Sequence, residues 1–368
     1  MGRPMVVNYR VNRCTLGTSL CFSFVHRCGM AKKTKTYDFI DLFAGIGGFH
    51  VAFNKTERAR CVFSSEWNPA ARETYRHFFN DEAHLFAAGE KFFNKDITSI
   101  KGGAIKTDIP DFNILCGGFP CQPFSQVGQK KGFSDTRGTL FFNVEEIIRQ
   151  KKPDVFFLEN VRGLLTHKSG DTMRTILLSL FGSKSSGGLG YHMPTGFDGK
   201  PAGYFYVKAS DYGVPQHRPR VFIIGFKDKD AAKNFSPPLP VDVRIKDPGA
   251  LGRILGHPNS ADAKVYFDKA GTRERFIGFT LRCGGKGSGI LDRRNWEHYW
   301  VRKSPRADIK PEKITEEMGL RLLGFPEHFS FPASVRPTQR MRQLGNSVAV
   351  TAVEQWGLAI IKSLDSVL

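Results

Sequence analysis

The sequence predicts an α/β protein: a mainly parallel sheet wound with helices on both faces, accompanied by a smaller second domain. Three observations carry this. Apolar runs of strand length alternate with helical stretches from Tyr37 onward. The first run, in "YDFIDLFAGIGGFHVAF", passes straight into a glycine turn and an apolar helix start. Past Phe226 the texture changes, as the proline-rich connector "NFSPPLPVDV" leads into a basic, glycine-bearing and poorly periodic region. A chain of 368 residues also exceeds the usual size of one core.

The elements follow in order. Met30 opens "MAKKTKTYDFIDLF" and reads as a start, so residues 1–29 are expected to be a dispensable extension. The first strand ends near Phe43, and the runs "ARCVFSSEW", "FNILCGGF", "DVFFLENV" and "RVFIIGF" supply further strands. Helical periodicity appears between them in stretches such as "GTLFFNVEEIIRQ". Repeats and low-complexity blocks are absent from the sequence.

Composition narrows the function classes. A hydrophobic fraction of 40% suffices for a packed interior. The net charge of +19 and pI near 9.7 favour polyanionic partners, nucleic acid above all. Seven cysteines without regular spacing fit neither a disulfide framework nor zinc ligands, which points to a reducing compartment and to no metal site. No apolar stretch is long enough to span a bilayer.

In doubly wound sheets ligands gather at the carboxyl ends of the strands, so the residues closing each run carry the chemistry. Gly45, Gly47 and Gly48 follow the first strand, and Glu66 closes the second at the spacing where an acid binds ribose hydroxyls. His50 stands where a dinucleotide fingerprint wants a small residue. A ligand with adenosine but no pyrophosphate therefore fits better than NAD. Asp96 reads equally as a partner for an adenine amino group and as a helix N-cap before "ITSI". Cys121, in the loop "GGFPCQPFSQVG", lies among turn formers and polar groups rather than in an apolar run, so its thiol is a candidate nucleophile. Glu159 ends a strongly apolar strand, where burial favours the neutral acid as a proton donor. Arg218 and Arg220, two residues apart before another strand, share one face if extended and can fix an oxygen or phosphate.

With "DLFAGIGGF", "PCQPFS", "ENV", "QHRPR", "RLLGFPEHF" and "QLGNSVAV" in this order, the chain resembles the DNA (cytosine-5) methyltransferases of bacterial restriction-modification systems from about Tyr37 to Leu368. The resemblance implies a Rossmann-like catalytic domain of residues 30–228 and 337–368, with a target-recognition domain of residues 229–336. It also implies S-adenosylmethionine as cofactor, enclosed by Phe43, Gly45, Ile46, Gly48, Glu66, Trp67, Asp96, Ile97, Pro120, Leu140, Asn346 and Ser347. Cys121 is then the nucleophile, Glu159 and Arg220 hold the target cytosine, and Arg218 lies nearby.

Double-stranded DNA is the implied partner, and a cytoplasmic, nucleoid-associated monomer the implied setting. Gln122 is expected to face DNA, as are Ser125 and Arg137 from the glycine-bearing lid "SQVGQKKGFSDTRGT", with Gln126 as candidate for filling the vacated base stack. In "FTLRCGGKGSGILDRRNWEHYW", Thr280, Arg282, Lys286, Arg293 and Arg294 are candidates for base reading or for phosphate contact. An RNA cytosine-5 methyltransferase of the eukaryotic tRNA type shares "PCQPF", but its Cys-Phe-Thr segment is missing here. An inactive DNA-binding relative would not need intact Cys121, Glu159 and glycine turn.

Overall fold

Alternating side chains on five parallel strands decide the architecture. The computed structural model describes residues 35–120, 140–247, 249–255, 264–266, 274–282, 298–302 and 312–368. Its main sheet has seven strands: β1 (Tyr37–Leu42), β2 (Ala59–Ser65), β3 (Phe93–Asn94), β4 (Ile114–Gly117), β5 (Val155–Val161), β6 (Phe205–Lys208) and β7 (Pro219–Phe226). Phe39, Cys61, Cys116 and Phe157 face one buried layer. Their neighbours Ile40, Leu42, Leu115, Phe156 and Leu158 face the other. A strand whose successive side chains are apolar on both sides must be covered on both sides, which gives the doubly wound α/β fold that the sequence predicts.

The spatial order is β3-β2-β1-β4-β5-β7-β6. Strands β1 to β5 pair in parallel, whereas β7 runs antiparallel to both β5 and β6. From β1 the chain winds outward through β2 and β3, then returns to lay β4 on the other side of β1. That reversal opens a crevice at the carboxyl ends of β1 and β4, the place where such sheets bind ligands.

Helices α1 (Gly48–Asn54), α2 (Pro69–Phe78) and α3 (Ala83–Glu90) precede β4, with α4 (Ala104–Asp108) just before it. Then come α5 (Leu140–Lys151) and α6 (Asp171–Phe181) on the second face, and the short α7 (Lys229–Asn234), α8 (Val243–Lys246) and α9 (Ala250–Ile254). Helices α10 (Glu316–Leu323), α11 (Pro337–Asn346) and α12 (Val350–Asp365) close the described chain. The last of these returns to the start of the fold. A Cβ at Gly357 would stand 3.3 Å from the Phe53 ring, and Lys55 pairs with Glu354 at 2.5 Å. Trp356 of α12 is fully buried, 4.7 Å from the Phe205 ring and 5.5 Å from Phe222.

The expected runs appear as β1, β2, β4, β5 and β7, and "GTLFFNVEEIIRQ" covers α5 up to Gln150, one residue short of its end. Strands β3 and β6, two and four residues long, escaped periodicity, which needs a longer window. The aperiodic region holds a second, antiparallel sheet of order β11-β10-β8-β9, built from β8 (Lys264–Tyr266), β9 (Glu274–Arg275), β10 (His298–Arg302) and β11 (Glu312–Lys313). The expected extension, residues 1–29, lies outside the described residues. Among the described residues no helix is long and apolar enough to cross a membrane.

Candidate active site

The crevice begins where β1 ends. Phe43 and Gly45 both take left-handed backbone angles, with φ of 58° each, and Gly47 follows at 83°. This winds the chain tightly before α1 starts at Gly48. No atom stands within 4 Å of a Cβ placed on Gly45, so the turn keeps open space there. Glu66, buried at the end of β2, accepts the Gly45 amide on Oε2 at 2.8 Å and the Asn68 amide on Oε1 at 2.8 Å. Burial pushes its carboxyl up, against those two amides. A carboxylate has about four acceptor positions, so each oxygen keeps capacity for a hydroxyl.

Trp67, beside Glu66, is 75% exposed, an unusual position for a large ring and one suited to stacking. Asp96 caps the short helical turn at Ile97–Ser99, its Oδ1 accepting the Thr98 amide at 2.9 Å. The N-cap reading of Asp96 therefore holds, and its second oxygen is left for a ligand. Ile46 and Ile97 are buried, Leu140 opens α5 half-buried, and Pro120 and Asn346 are exposed. Ser347 is brought to the turn from the far end of the chain. A Cβ on Gly48 would lie 2.9 Å from its Oγ, and that buried hydroxyl has no hydrogen-bond partner among the described residues. An open glycine turn, a bidentate acid, an exposed ring and an orphan hydroxyl fit an adenosyl cofactor.

On the next strand, Glu159 is 8% exposed, and its Oε1 meets Nε of Arg220 at 2.6 Å. Antiparallel pairing explains this meeting: Val161 of β5 registers with Arg220 of β7, so the start of β7 lies at the carboxyl end of β5. The sequence reading placed Glu159 in apolar surroundings, and the structure adds this guanidinium as its immediate partner. A Cβ on Gly118 would stand 3.2 Å from Glu159 Oε2, and Asn160 Nδ2 donates to the Phe119 carbonyl at 2.8 Å. The Asn160–Phe119 bond fastens the end of β5 to the segment leading toward Cys121, and Gly118 leaves room for the Glu159 carboxyl. Cys121 itself, with Gln122, Ser125, Gln126 and Arg137, lies outside the described residues. The thiol five residues earlier, Cys116, is fully buried in β4, and burial pushes it far up, so it is no nucleophile.

Arg218 does not share its neighbour's surroundings. It is 1% exposed and donates to the main-chain carbonyls of Leu281 at 3.0 Å, Gly345 at 2.9 Å and Ser347. Gln216, also buried, donates to the Leu322 carbonyl at 2.9 Å. The "QHR" segment is thus stitched to three distant parts of the chain. Thr280 donates its hydroxyl to the His217 carbonyl, and Leu281 is buried, so this pair is engaged in the same seam; Arg282 beside it is exposed. Lys286, Arg293 and Arg294 lie outside the described residues.

Sequence reasoning missed Asn160 and Gln216 as organisers, although both sit inside quoted motifs. It also missed Arg72, which donates to the carbonyls of Glu66 at 3.2 Å, Asn94 at 2.8 Å and Phe93 at 2.9 Å, and so fixes the carboxyl ends of β2 and β3.

The chain is similar to known proteins in sequence and in fold. The family described as C-5 cytosine-specific DNA methylase matches residues 37–309 and 292–362. The type II methyltransferase M1.ScrFI of Lactococcus lactis subsp. cremoris is 37% identical over 331 residues, covering 88% of this chain and 77% of that protein. The type II methyltransferase M.HpaII of Haemophilus parainfluenzae is 36% identical over 356 residues, covering 89% and 90%. Among solved structures, the S. pombe Dnmt2 methyltransferase aligns with a TM-score of 0.57 at 19% identity, covering 89% of this chain and 98% of the other. A putative DNA modification methyltransferase encoded within an E. coli prophage aligns at 0.55 and 21%, covering 90% and 99%. At such identities the structural likenesses speak for the fold alone.

Proposed function

Since this chain belongs to the C-5 cytosine-specific DNA methylases and methylates cytosine at C5 within a DNA sequence, we propose which of its residues perform the reaction and in what setting. The RNA alternative is not favoured, because sequence relatives at this level of identity are type II DNA methyltransferases. Methyltransferases of this family use S-adenosylmethionine, which supplies a methyl group on a positive sulfur. Phe43, Gly45, Ile46, Gly48, Glu66, Trp67, Asp96, Ile97, Pro120, Leu140, Asn346 and Ser347 hold it in the crevice beside β1 and β4. Glu66 accepts the ribose hydroxyls, and Trp67 and Phe43 flank the adenine.

The target cytosine leaves the base stack, at a cost of a few kcal/mol, and enters between Glu159 and the Cys121 loop. Cys121, as thiolate, forms a bond to C6 while Glu159 donates a hydrogen bond to N3 and Arg220 fixes the ring. Electron density moves to C5, which would take the methyl group as its bond to the positive sulfur breaks, the bonding pair staying on sulfur as a neutral thioether. Loss of the C5 proton then expels the thiolate and restores the aromatic ring. One observation carries this assignment: the Glu159–Arg220 pair stands against Gly118 and Asn160–Phe119, at the mouth of the segment leading to Cys121.

Residues 30–228 and 337–368 form the catalytic domain in this reading. Residues 229–336 read the target, with Arg282, Lys286, Arg293 and Arg294 on DNA, while Gln122 faces the DNA and the lid of Ser125, Gln126 and Arg137 closes over the extruded base. Arg218 serves through position, holding the seam between these parts. The enzyme acts as a monomer on double-stranded DNA in the bacterial cytoplasm, protecting host DNA from a cognate endonuclease.

Cytosine carrying fluorine at C5 provides the test, because fluorine cannot leave as a cation. The chain should become covalently joined to such DNA only with S-adenosylmethionine present, and peptide mapping should place the link on Cys121. Cys121→Ser should abolish it, since a neutral hydroxyl is a far weaker nucleophile than a thiolate. A link elsewhere, or none with folded protein, would overturn the assignment.

A further inference from the structure

The glycine turn rests on two aromatic rings. A Cβ on Gly47 would fall 2.3 Å from Phe79 Cε2 and 3.1 Å from Tyr75 Cε2, so the turn touches α2 and its C-cap directly. Behind those rings stands His50 of α1, fully buried. Its ring stacks on Phe79 at 3.9 Å with planes 7° apart. Its Nδ1 is 2.7 Å from the Tyr75 hydroxyl. Its Nε2 is 2.8 Å from Glu82 Oε1, close enough for an ion pair although the N–H is not aimed at the oxygen. Glu82 also receives Asn54 Nδ2 at 2.9 Å, so the start of α3 is tied to α1 at two points.

We propose that His50 is a positioning residue for the cofactor, clamping Tyr75 and Phe79 beneath Gly47 so that the Gly45–Gly48 turn keeps its binding geometry. The inference rests on the reading of that turn as the S-adenosylmethionine site. His50 touches no cofactor atom in this role. It acts through the two rings.

An apolar residue could fill the space but could not join α1, α2 and α3. Neutral imidazole has one donor and one acceptor, so the Tyr75 hydroxyl can donate to Nδ1 while the Nε2 edge of the ring lies 2.8 Å from Glu82. Burial pushes His50 down, against the pull of Glu82. Burial would raise Glu82, but the His50 ring beside it and the bond from Asn54 bring its carboxyl below the ordinary value. The other titratable groups facing this cluster are Asp41 of β1, whose carboxyl faces the His50 amide, Cys61 of β2, whose Sγ is 3.9 Å from the Tyr75 hydroxyl, and Asp81 and His84 around the start of α3. A second proton on the ring would place a donor at Nδ1 where the neutral clamp needs an acceptor. The clamp is therefore complete above the ordinary histidine value of about 6.5 and weakens only as pH falls through His50's own value, which burial holds below it.

The test is calorimetric titration of S-adenosylhomocysteine into the full chain, beside thermal unfolding without ligand. Wild type should bind more weakly at roughly pH 5, well below the ordinary histidine value, than near pH 8. His50→Phe, which keeps the stack and loses both polar contacts, should weaken binding about tenfold near pH 8, the effect of a lost bond of roughly 1.4 kcal/mol. His50→Gln, whose amide can still donate toward Glu82 and does not titrate, should recover much of that loss and show no fall toward acid. Tyr75→Phe, which removes only the hydroxyl, should reproduce the loss if His50→Phe does not fold. Wild-type affinity in both His50→Phe and Tyr75→Phe, or an unchanged acid-side fall in His50→Gln, would overturn the proposal. Should Gly45→Ala also bind with wild-type affinity, the failure would lie with the cofactor reading itself.

Discussion

Two glycines of the same turn should respond oppositely to a single methyl group. At Gly47 the φ of 83° is left-handed, and an added Cβ would meet Phe79 Cε2 at 2.3 Å and Cζ at 2.8 Å. Left-handed backbone costs an L side chain roughly 1–2 kcal/mol. Forcing a methyl into a packed site costs typically about 1–3 kcal/mol more. Gly47→Ala should therefore lose roughly 2–5 kcal/mol, a large part of the stability of most domains. At Gly45 the φ is 58°, but nothing lies within 4 Å of the new methyl. Gly45→Ala should lose only the backbone share, at most about 2 kcal/mol. Its methyl projects instead into the space assigned to the cofactor, so binding should weaken about tenfold or more, a loss of at least about 1.4 kcal/mol. Urea unfolding of the ligand-free chain measures the first quantity, and calorimetric titration with S-adenosylmethionine the second. If Gly45→Ala unfolds more easily than Gly47→Ala, or binds cofactor like wild type, the geometry assigned to this turn is refuted.

Three further outcomes follow from other parts of the site. Arg218→Met, which keeps much of the volume but strands the carbonyls of Leu281, Gly345 and Ser347, should cost about 3 kcal/mol or more in urea unfolding, since bonds from a charged donor exceed ordinary ones; a change below about 1 kcal/mol would argue against its role in the seam. Asn160→Ala removes the 2.8 Å bond to the Phe119 carbonyl and should lower kcat about tenfold with cofactor affinity unchanged, whereas an effect confined to cofactor affinity would contradict the placement of this bond on the catalytic loop. Asp41 is 1% exposed, and burial with Glu66 nearby pushes its carboxyl well up. A group raised in the folded state stabilises below its unfolded value and loses that contribution as pH climbs through its folded one. Asp41→Asn should thus gain in Tm relative to wild type as pH rises, and a relative gain only toward acid would show the sign to be wrong.

What the linear sequence determined is what local pattern can carry. Alternating and continuous apolar runs located β1, β2, β4, β5 and β7, because a strand buried on both faces must be apolar on both. The glycines after β1 marked a turn, which the folded chain forms with positive φ, and their spacing to Glu66 marked a candidate nucleoside site, because these signals lie within one βαβ unit. Cys121 and Glu159 stood out as candidates by their neighbours, and Cys121 lies outside the described residues. Tertiary structure decided the rest. In a wholly parallel sheet, Arg220 at the start of its strand would lie at the end opposite Glu159; antiparallel β7 brings them to 2.6 Å. Arg218 and Arg220, equivalent by spacing, part company because Arg218 is surrounded by carbonyls from Leu281, Gly345 and Ser347, contributed by segments far along the chain. His50, legible only as a misfit in a fingerprint, gains its partners from α2 and the start of α3. Partners so distant in sequence leave no periodic trace, so only the folded chain could bring their charges and hydrogen-bonding groups into register.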